Sequence, residues 1–320
     1  MSMLKDYQNY LESYRELAPG TVLKYMSAVR SFAVYINGNH RAGDGEILLS
    51  ATIADIERYF IYLNRTKNLA RNSRASWIKF GIKRFYHWAQ KQGLTDLQFE
   101  QAEIVLKKSQ RDKDNPVVVL KESDVQKIRA FLEEETPPVE IHALYNQMER
   151  HCAIVLMIET GARISEIVNL KPDDLKADER YIIYNGAKNV ERHDTNGIRR
   201  FPLSGELIAT IQATMDFYRY VWQKEPQRIL HCSATTLRDY LCQVEAGAGL
   251  NIHLHPHLFR HYQITRLRDM RDGNGNRTFT DKQISTLFGV SIKVLERVYY
   301  HPDDDKTQAV YEKAMQTVEA

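Results

Sequence analysis

The sequence predicts a mainly helical protein with a small antiparallel β-sheet, divided into two domains. Apolar residues recur at helical spacing through most of the 320 residues. Two segments rich in strand formers, 181–184 and 198–203, flank a polar stretch. A segment without apolar residues, 107–115, ends at Pro116. We therefore expect a helical domain over 1–106, a linker over 107–116 and an α+β domain over 117–320.

Four or five helices are expected in the first domain. A short leading helix ends near Pro19, and Thr21 is the expected N-cap of a second helix. The second helix has an inward face of Leu23, Met26, Val29, Phe32 and Ala33. After a loop over 38–45, a third helix starts from Thr52. The last helix of this domain covers about 72–92 and carries an aromatic stripe that is expected to belong to the core.

The second domain alternates helices with one hairpin. Ser123 is the expected N-cap of a helix through Phe131, and a long helix from Ile141 to Thr160 stops at Gly161. The next helix runs over 164–170, and the polar region 185–197 connects the two strands. Later helices are expected at 205–222, 234–245, 256–270, 281–288, 292–298 and 306–317, with Thr280 and Ser291 as two of the caps.

The charge distribution points to a polyanion as partner. Residues 1–113 hold 18 Lys and Arg against 11 Asp and Glu, whereas the remainder holds 26 against 30. A basic N-terminal part is typical of DNA-binding proteins, and an ordinary solvated surface explains it equally well. Basic side chains around the aromatic stripe are candidates for contacts with backbone phosphates: Arg71, Arg74, Lys79, Lys83 and Arg84.

Several protein classes are disfavoured. No apolar run approaches the length of a membrane span or a signal peptide, so we expect a cytoplasmic protein. Cys152, Cys232 and Cys242 form no CxxC pair, which argues against a disulfide framework or a zinc ribbon. The histidine series 253, 255, 257 and 261 would face one way only on a strand, and Pro256 breaks that geometry. No metal and no cofactor are expected.

Five residues stand in an order that single residues do not explain. His257 and Arg260 are three positions apart on one predicted helix, so the imidazole and the guanidinium can grip one anion, most simply a phosphate. Arg163 precedes them at a helix start, Lys188 lies in the hairpin, and Tyr299 follows. Each residue alone is a weak signal, and the series is a specific one.

In these motifs the chain resembles the tyrosine site-specific recombinases of the phage integrase type. The resemblance covers nearly the whole chain and rests on these segments: Gly161-Ala162-Arg163-Ile164-Ser165-Glu166-Ile167, Gly186-Ala187-Lys188 with Arg199-Arg200-Phe201-Pro202-Leu203, His257-Leu258-Phe259-Arg260-His261, and Leu287 through Tyr299. It implies a helical core-binding domain, which contacts DNA, followed by an α+β catalytic domain. Arg199 and Arg200 beside the lysine-bearing loop are then further DNA contacts.

The resemblance implies cleavage of a DNA strand without metal or ATP. Arg163 and Arg260 would clamp the non-bridging oxygens, and Tyr299 would attack to form a covalent 3′-phosphotyrosyl link. His257 would bond to the phosphate and accept the phenol proton, and Lys188 would protonate the leaving oxygen. The implied supporting residues are Glu166, which orients Arg163 or His261, together with His261 and His301.

One departure and several alternatives stay open. The family often has histidine or tryptophan nine positions before the nucleophile, where this chain has Val290; His261 or His301 could substitute. Tyr300 is a rival nucleophile. A DNA-binding accessory protein of the same fold, with weak or no catalysis, is the alternative function, and a relaxing topoisomerase is a third.

The resemblance also suggests how the enzyme is assembled on DNA. We expect a tetramer on double-stranded DNA with short inverted repeats, associated with the nucleoid. The final helix, 306–317, would dock on a neighbouring protomer or pack on its own domain.

Overall fold

The structure, a computed structural model, describes residues 3–38, 45–66, 71–104, 118–185 and 198–299. The chain forms two compact units, residues 1–116 and 117–320. Helices dominate both units, and a three-stranded antiparallel sheet lies in the second. The predicted mainly helical class with a small antiparallel sheet is confirmed. The predicted linker, 107–116, lies outside the described residues.

The first unit is helical in its described parts. Its elements are α1 (Met3–Asn9) continuing as a π-helical turn (Tyr10–Tyr14), α2 (Pro19–Ile36), a 3₁₀ turn (Glu46–Ser50), α3 (Ile53–Arg65), α4 (Arg71–Ser76), a π-helical segment (Trp77–Ile82), α5 (Lys83–Lys91) and a 3₁₀ turn (Phe99–Gln101). Buried aromatic side chains fill its core, including Tyr7, Phe32, Tyr59, Phe85 and Tyr86. Most of the predicted aromatic stripe is therefore core, as expected.

The helix starts in this unit follow known capping chemistry. Thr52 caps α3 in a reciprocal box with Asp55, as its position predicted. The predicted cap at Thr21 is wrong, because α2 already begins at Pro19. Proline suits the first helical position, where its missing N–H costs nothing. Leu23 is 67% exposed and so does not belong to the inward face.

The second unit carries the sheet. Its elements are α6 (Glu122–Glu134), α7 (Ile141–Thr160), α8 (Ile164–Ile167), a 3₁₀ turn (Pro172–Asp174), β1 (Leu175–Lys176), β2 (Tyr181–Asn185), β3 (Ile198–Pro202), α9 (Gly205–Trp222), α10 (Ala234–Gly247), α11 (Pro256–Asp269), α12 (Asp281–Phe288) and α13 (Ile292–Tyr299). The strands lie in the order β1-β2-β3, and Ile183 of β2 pairs with Arg200 of β3.

Most predicted elements of this unit are confirmed, with small differences at the ends. Helix α7 has the predicted bounds, and the hairpin pairs as expected. The predicted cap at Ser123 is wrong: the N-cap is Lys121, two residues earlier, and the Asp124 carboxylate accepts from the N–H of Lys121. Strand β1 was not predicted, because two residues carry no periodicity. The predicted helix 306–317 lies outside the described residues.

In the part of the chain that the structure describes, no helix combines the length and apolarity needed to cross a membrane.

Candidate active site

The site is built around the break at Gly161, which ends α7. Gly161 has a φ of +56°, a left-handed conformation that favours glycine. A Cβ at this position would lie 2.9 Å from Cε1 of Phe288 and 3.1 Å from Cα of Arg260. The missing side chain therefore lets the end of α7 meet α11 and α12 closely. The chain then turns directly into α8 at Arg163.

Arg163 is held at the start of α8 by a carboxylate one turn later. Its backbone N–H donates to Oε2 of Glu166 over 2.8 Å, and its Nη1 donates to Oε1 of Glu166 over 2.8 Å. Its Nη2 donates to the carbonyl of Gly289 over 3.3 Å. The guanidinium is thus fixed between α8 and the turn after α12. Its side chain is 30% exposed, so solvent or a ligand can reach it.

Arg260 approaches the same turn from α11. Its Nη1 donates to the carbonyl of Gly161 over 3.3 Å, and its Nη2 donates to the carbonyl of Phe288. The guanidinium carbon lies 5.4 Å from the centre of the Phe288 ring. Phe288 and Gly289 are neighbours in sequence, so the structure brings Arg163 and Arg260 together at the turn that leads into α13.

Glu166 is the buried anion of the site. Its side chain is 5% exposed, and Oε2 lies 2.6 Å from Nη2 of Arg199 in an ion pair that is not aligned as a hydrogen bond. Burial by itself would raise the pKa of Glu166. The charge of Arg199, the N–H of Arg163 and the charges of Arg163 and Arg260 outweigh burial and lower that pKa. The carboxylate therefore stays ionised and can hold both Arg163 and Arg199.

Arg199 corrects a prediction. It was expected to contact DNA, but its residue is only 6% exposed and its guanidinium is occupied inside the protein. Nη1 donates to the carbonyl of Leu287 over 2.6 Å, and the guanidinium carbon lies 5.3 Å from the centre of the Tyr184 ring. The side chain points inward because β3 alternates exposed and buried positions, with Arg199 and Phe201 buried.

Arg200 occupies the opposite face of the same strand and is exposed. Its guanidinium carbon lies 5.2 Å from the centre of the Tyr181 ring. Among the two predicted contacts on β3, only Arg200 is therefore available at the surface.

His257 lies in the first turn of α11 and is exposed. Partial desolvation and the neighbouring charges of Arg260, His255 and Arg163 lower its pKa. A lowered pKa favours the neutral imidazole, which can accept a proton. His257 and Arg260 lie three positions apart on α11, so their side chains project from the same face of that helix. His261, one turn later, is half-buried.

Part of the predicted site lies outside the residues that the structure describes. Lys188 and His301 lie outside the described residues, as does the rival Tyr300. The backbone of Tyr299 ends α13, and its side chain is outside the description. The order of elements nevertheless takes the chain from the turn at Gly289, which both arginines approach, into the helix that carries Tyr299.

Val290 follows that turn and offers no side-chain donor. Its N–H donates to the carbonyl of Ser285 over 3.2 Å, and its carbonyl accepts from Oγ of Ser285 over 2.6 Å. Its side chain packs against the core of the second unit.

The basic side chains predicted to contact DNA follow one helical run of the first unit, α4 through α5: Arg71, Arg74, Lys79, Lys83 and Arg84. Lys79 is exposed. Lys83 pairs with Glu100 over 3.0 Å, and the guanidinium carbon of Arg84 lies 5.2 Å from the Tyr25 ring. Arg74 bonds to Asn64 and lies 5.7 Å over the Phe60 ring. Lys79 is thus the most accessible of those whose side chains are described.

Sequence reasoning missed one layer beneath the arginines. The hydroxyl of Tyr184 donates to Oγ1 of Thr160 over 2.9 Å, and that Oγ1 donates to the carbonyl of Leu156 over 2.6 Å. Tyr184 and Arg199 both occupy buried positions of the hairpin. The alternation along the two strands was the available signal, and it required the correct register.

The histidine series gives no metal site in the described residues. The ring centres of His253 and His255 lie 6.1 Å apart, and no three His, Cys, Asp or Glu side chains described here are grouped so as to hold a metal ion.

The chain is similar to known proteins in sequence and in fold. A family model described as the phage integrase family matches residues 118–273. The chain is 25% identical to the tyrosine recombinase XerC of Pediococcus pentosaceus over 98% of this chain and 97% of the relative. It is similar in fold to the XerH site-specific recombinase bound to its difH substrate, with a TM-score of 0.62, 14% identity and coverage of 97% and 83% of the two chains. The Tn1549 transposon integrase in complex with transposon right end DNA gives a TM-score of 0.60, 17% identity and coverage of 98% and 100%.

Proposed function

We propose that this chain is a tyrosine recombinase, similar to the phage integrase family over residues 118–273, and that it cuts and rejoins DNA strands at specific sites through a covalent 3′-phosphotyrosyl intermediate. The observation that supports this most is the convergence of Arg163 and Arg260 on the turn at Phe288 and Gly289, with His257 three positions before Arg260 on α11. No metal or ATP takes part in the proposed reaction.

The two guanidinium groups would bind the non-bridging oxygens of the scissile phosphate. A guanidinium stays charged and offers five N–H donors, so Arg163 can keep its bonds to Glu166 and Gly289 and still donate to a phosphate. The bonds preorganise the donors before DNA arrives, and preorganised charge is most effective where negative charge develops in the transition state.

Tyr299 would be the nucleophile. Its phenolic oxygen forms a bond to phosphorus while the bond from phosphorus to the 5′ oxygen breaks. The phenol proton passes to neutral His257, and Lys188 gives a proton to the departing 5′ oxygen. The products are a 3′-phosphotyrosyl link and a free 5′ hydroxyl. The phosphoester energy is retained in that link, so religation needs no ATP.

Exchange between two duplexes would need four nucleophiles, and we propose a tetramer on double-stranded DNA with short inverted repeats. Exposed Lys79 and Arg200 would contribute backbone contacts. The reaction would take place in the cytoplasm, with the protein associated with the nucleoid. Crosslinking on paired sites that yields only monomers would exclude the tetramer.

A binding protein without chemistry is the second candidate, and one observation favours it. Val290 supplies no side-chain donor at the position where the family often has histidine or tryptophan. Removing one preorganised donor can slow a reaction by on the order of 10²-fold. His261 or His301 would have to replace that donor in an active enzyme.

A nicked duplex separates the two functions. A binding site is first selected from a duplex library with randomised inverted repeats, then nicked near the scissile phosphate so that the short released strand diffuses away. If the protein is a recombinase, we expect a covalent protein–DNA adduct that is lost in Tyr299→Phe and kept in Tyr300→Phe. A band-shift with no adduct at any protein concentration would instead support the accessory protein.

A further inference from the structure

We propose that Arg199 is a positioning residue for strand cleavage, which holds Glu166 and the turn before α13 so that Arg163 is fixed against the scissile phosphate. Arg199 is the second residue of β3, and Lys188 precedes this strand in sequence, outside the described residues. Its guanidinium is held by Glu166, the carbonyl of Leu287 and the Tyr184 ring, so we expect it to act through these groups. The inference rests on the proposed strand-cleavage function.

Glu166 contacts both Arg163 and Arg199. Oε1 accepts from Nη1 of Arg163, and Oε2 accepts from the backbone N–H of Arg163 while lying 2.6 Å from Arg199. Both carboxylate oxygens therefore have a partner on an arginine. Without Arg199, one edge of a 5% exposed carboxylate would lose its cation, and its orientation toward Arg163 would no longer be fixed.

Arg199 also contacts the turn from α12 to α13. Nη1 of Arg199 donates to the carbonyl of Leu287, the residue before Phe288, over 2.6 Å. A Cβ at Gly289 would lie 2.8 Å from Cδ of Arg199, so glycine is needed for the side chain to pass. Nη2 of Arg163 donates to the carbonyl of Gly289 in the same turn. Arg199 thus joins β3 to the same turn that the two phosphate-binding arginines approach.

The planar shape of the Arg199 guanidinium suits these contacts. The guanidinium lies 5.3 Å from the centre of the Tyr184 ring, and the Tyr184 hydroxyl is anchored to Thr160 at the end of α7. A planar fork can stack on a ring while it reaches a carboxylate and a carbonyl in its own plane. Lysine keeps the charge but cannot make these contacts together. Arg199 is therefore expected to be replaceable by lysine only in part.

The experiment compares cleavage with DNA binding. Arg199→Met, Arg199→Lys and a control, Arg219→Met, are each tested at saturating protein on the nicked duplex. Arg219 also bridges two carboxylates, Asp216 and Glu225, but at an exposed position of α9. We expect Arg199→Met to slow single-turnover cleavage by roughly 10²-fold, the scale of a misplacement of about 1 Å, at unchanged affinity in band-shifts. The cleavage rate of Arg199→Lys should lie between those of Arg199→Met and the parent. The control, Arg219→Met, should cleave at the rate of the parent.

A neutral phosphate separates positioning from simple loss of structure. In a duplex with a methylphosphonate at the scissile position, less charge develops, so precise placement of Arg163 matters less. On this duplex, we expect the cleavage rate of Arg199→Met to be much closer to the rate of the parent. An equal slowing on both duplexes, or full activity of Arg199→Met, would overturn the inference. If Arg199→Met does not fold, the same comparison is made with Arg199→Lys.

A readout without chemistry distinguishes failure of this inference from failure of the proposed function. The Nε–Hε NMR signal of Arg163 in the full chain reports whether its guanidinium is held. We expect this signal to shift or broaden in Arg199→Met and to stay unchanged in Arg219→Met. If the parent forms no adduct, the proposed function fails while a shifted signal still supports the positioning of Arg163. An unchanged signal in Arg199→Met would refute the positioning in either case.

Discussion

Replacing Glu166 by glutamine should greatly lower the free energy of local unfolding around the site. The carboxylate is 2.8 Å from Arg163 and 2.6 Å from Arg199, and its side chain is 5% exposed. Breaking a buried ion pair by removing one partner costs about 3–5 kcal/mol. Glutamine keeps an acceptor for the N–H of Arg163, which places Glu166→Gln at the lower end. A cost of about 3 kcal/mol corresponds to roughly a 10²-fold larger opening equilibrium.

Native-state hydrogen exchange measured by mass spectrometry tests this cost within the second unit alone. Peptides that cover β2, β3 and α12 should exchange roughly 10²-fold faster in Glu166→Gln at pH 7. The matched control is Glu225→Gln, which removes a 75% exposed partner of Arg219. That surface change should cost at most about 1 kcal/mol. Equal exchange rates in Glu166→Gln and the parent would contradict the buried-anion account.

The pH dependence of the same effect has a definite sign. The pKa of Glu166 is lowered in the folded protein. Its stabilisation is therefore complete above the unfolded pKa of about 4.3 and is lost as the pH falls through the folded value. The difference in local stability between Glu166→Gln and the parent should be largest near neutral pH and should decrease in acid. A difference that grows as the pH falls below 4 would mean that another group is responsible.

Three further predictions concern chemistry, packing and DNA binding. Because the pKa of His257 is lowered, the rate of single-turnover cleavage should fall in acid with a midpoint below about pH 6.5. His257→Gln should remove this acid limb and slow cleavage by on the order of 10²-fold. A midpoint at or above about pH 6.5 would contradict this role. In urea titrations, Gly161→Ala should lower the free energy of unfolding by about 1–3 kcal/mol more than Gly93→Ala does. Both glycines have a positive φ, but of the two only Gly161 has neighbours within 4 Å of an added Cβ. Equal losses of stability would contradict the close packing at Gly161. Lys79→Gln should reduce the salt dependence of band-shift affinity by about one phosphate contact, and an unchanged slope would remove Lys79 from the interface.

Local signals in the sequence predicted most of the elements that shape the site. Gly161 marks the end of α7 because a left-handed residue was required there, and Thr280 predicts the start of α12 through its capping box with Gln283. The spacing of His257 and Arg260 needs only the helical repeat to put both on one face. These predictions depend on chemistry within one or two turns, which a sequence states directly.

The misjudged parts depend on contacts between distant segments. Arg199 was taken for a DNA contact because a basic residue beside a hairpin loop is usually solvated. Its burial follows from the register of β3 and from an ion pair with Glu166 across 33 positions of sequence. The π-helical segment Trp77–Ile82 is another case. A Cβ at Gly81 would lie 2.3 Å from Cβ of Ala28, a close approach that only packing reveals.

The central claim is that two arginines and a histidine surround one phosphodiester in front of Tyr299. The most direct test is to trim the covalent adduct with nuclease, digest it with trypsin and sequence the modified peptide by mass spectrometry. Cleavage after Arg297 and Lys306 releases residues 298–306, which contain both adjacent tyrosines. The account predicts a nucleotide joined through its 3′ phosphate to Tyr299, with a 5′ hydroxyl on the released strand. Attachment at Tyr300, attachment elsewhere, or a 5′-phosphate link would contradict it.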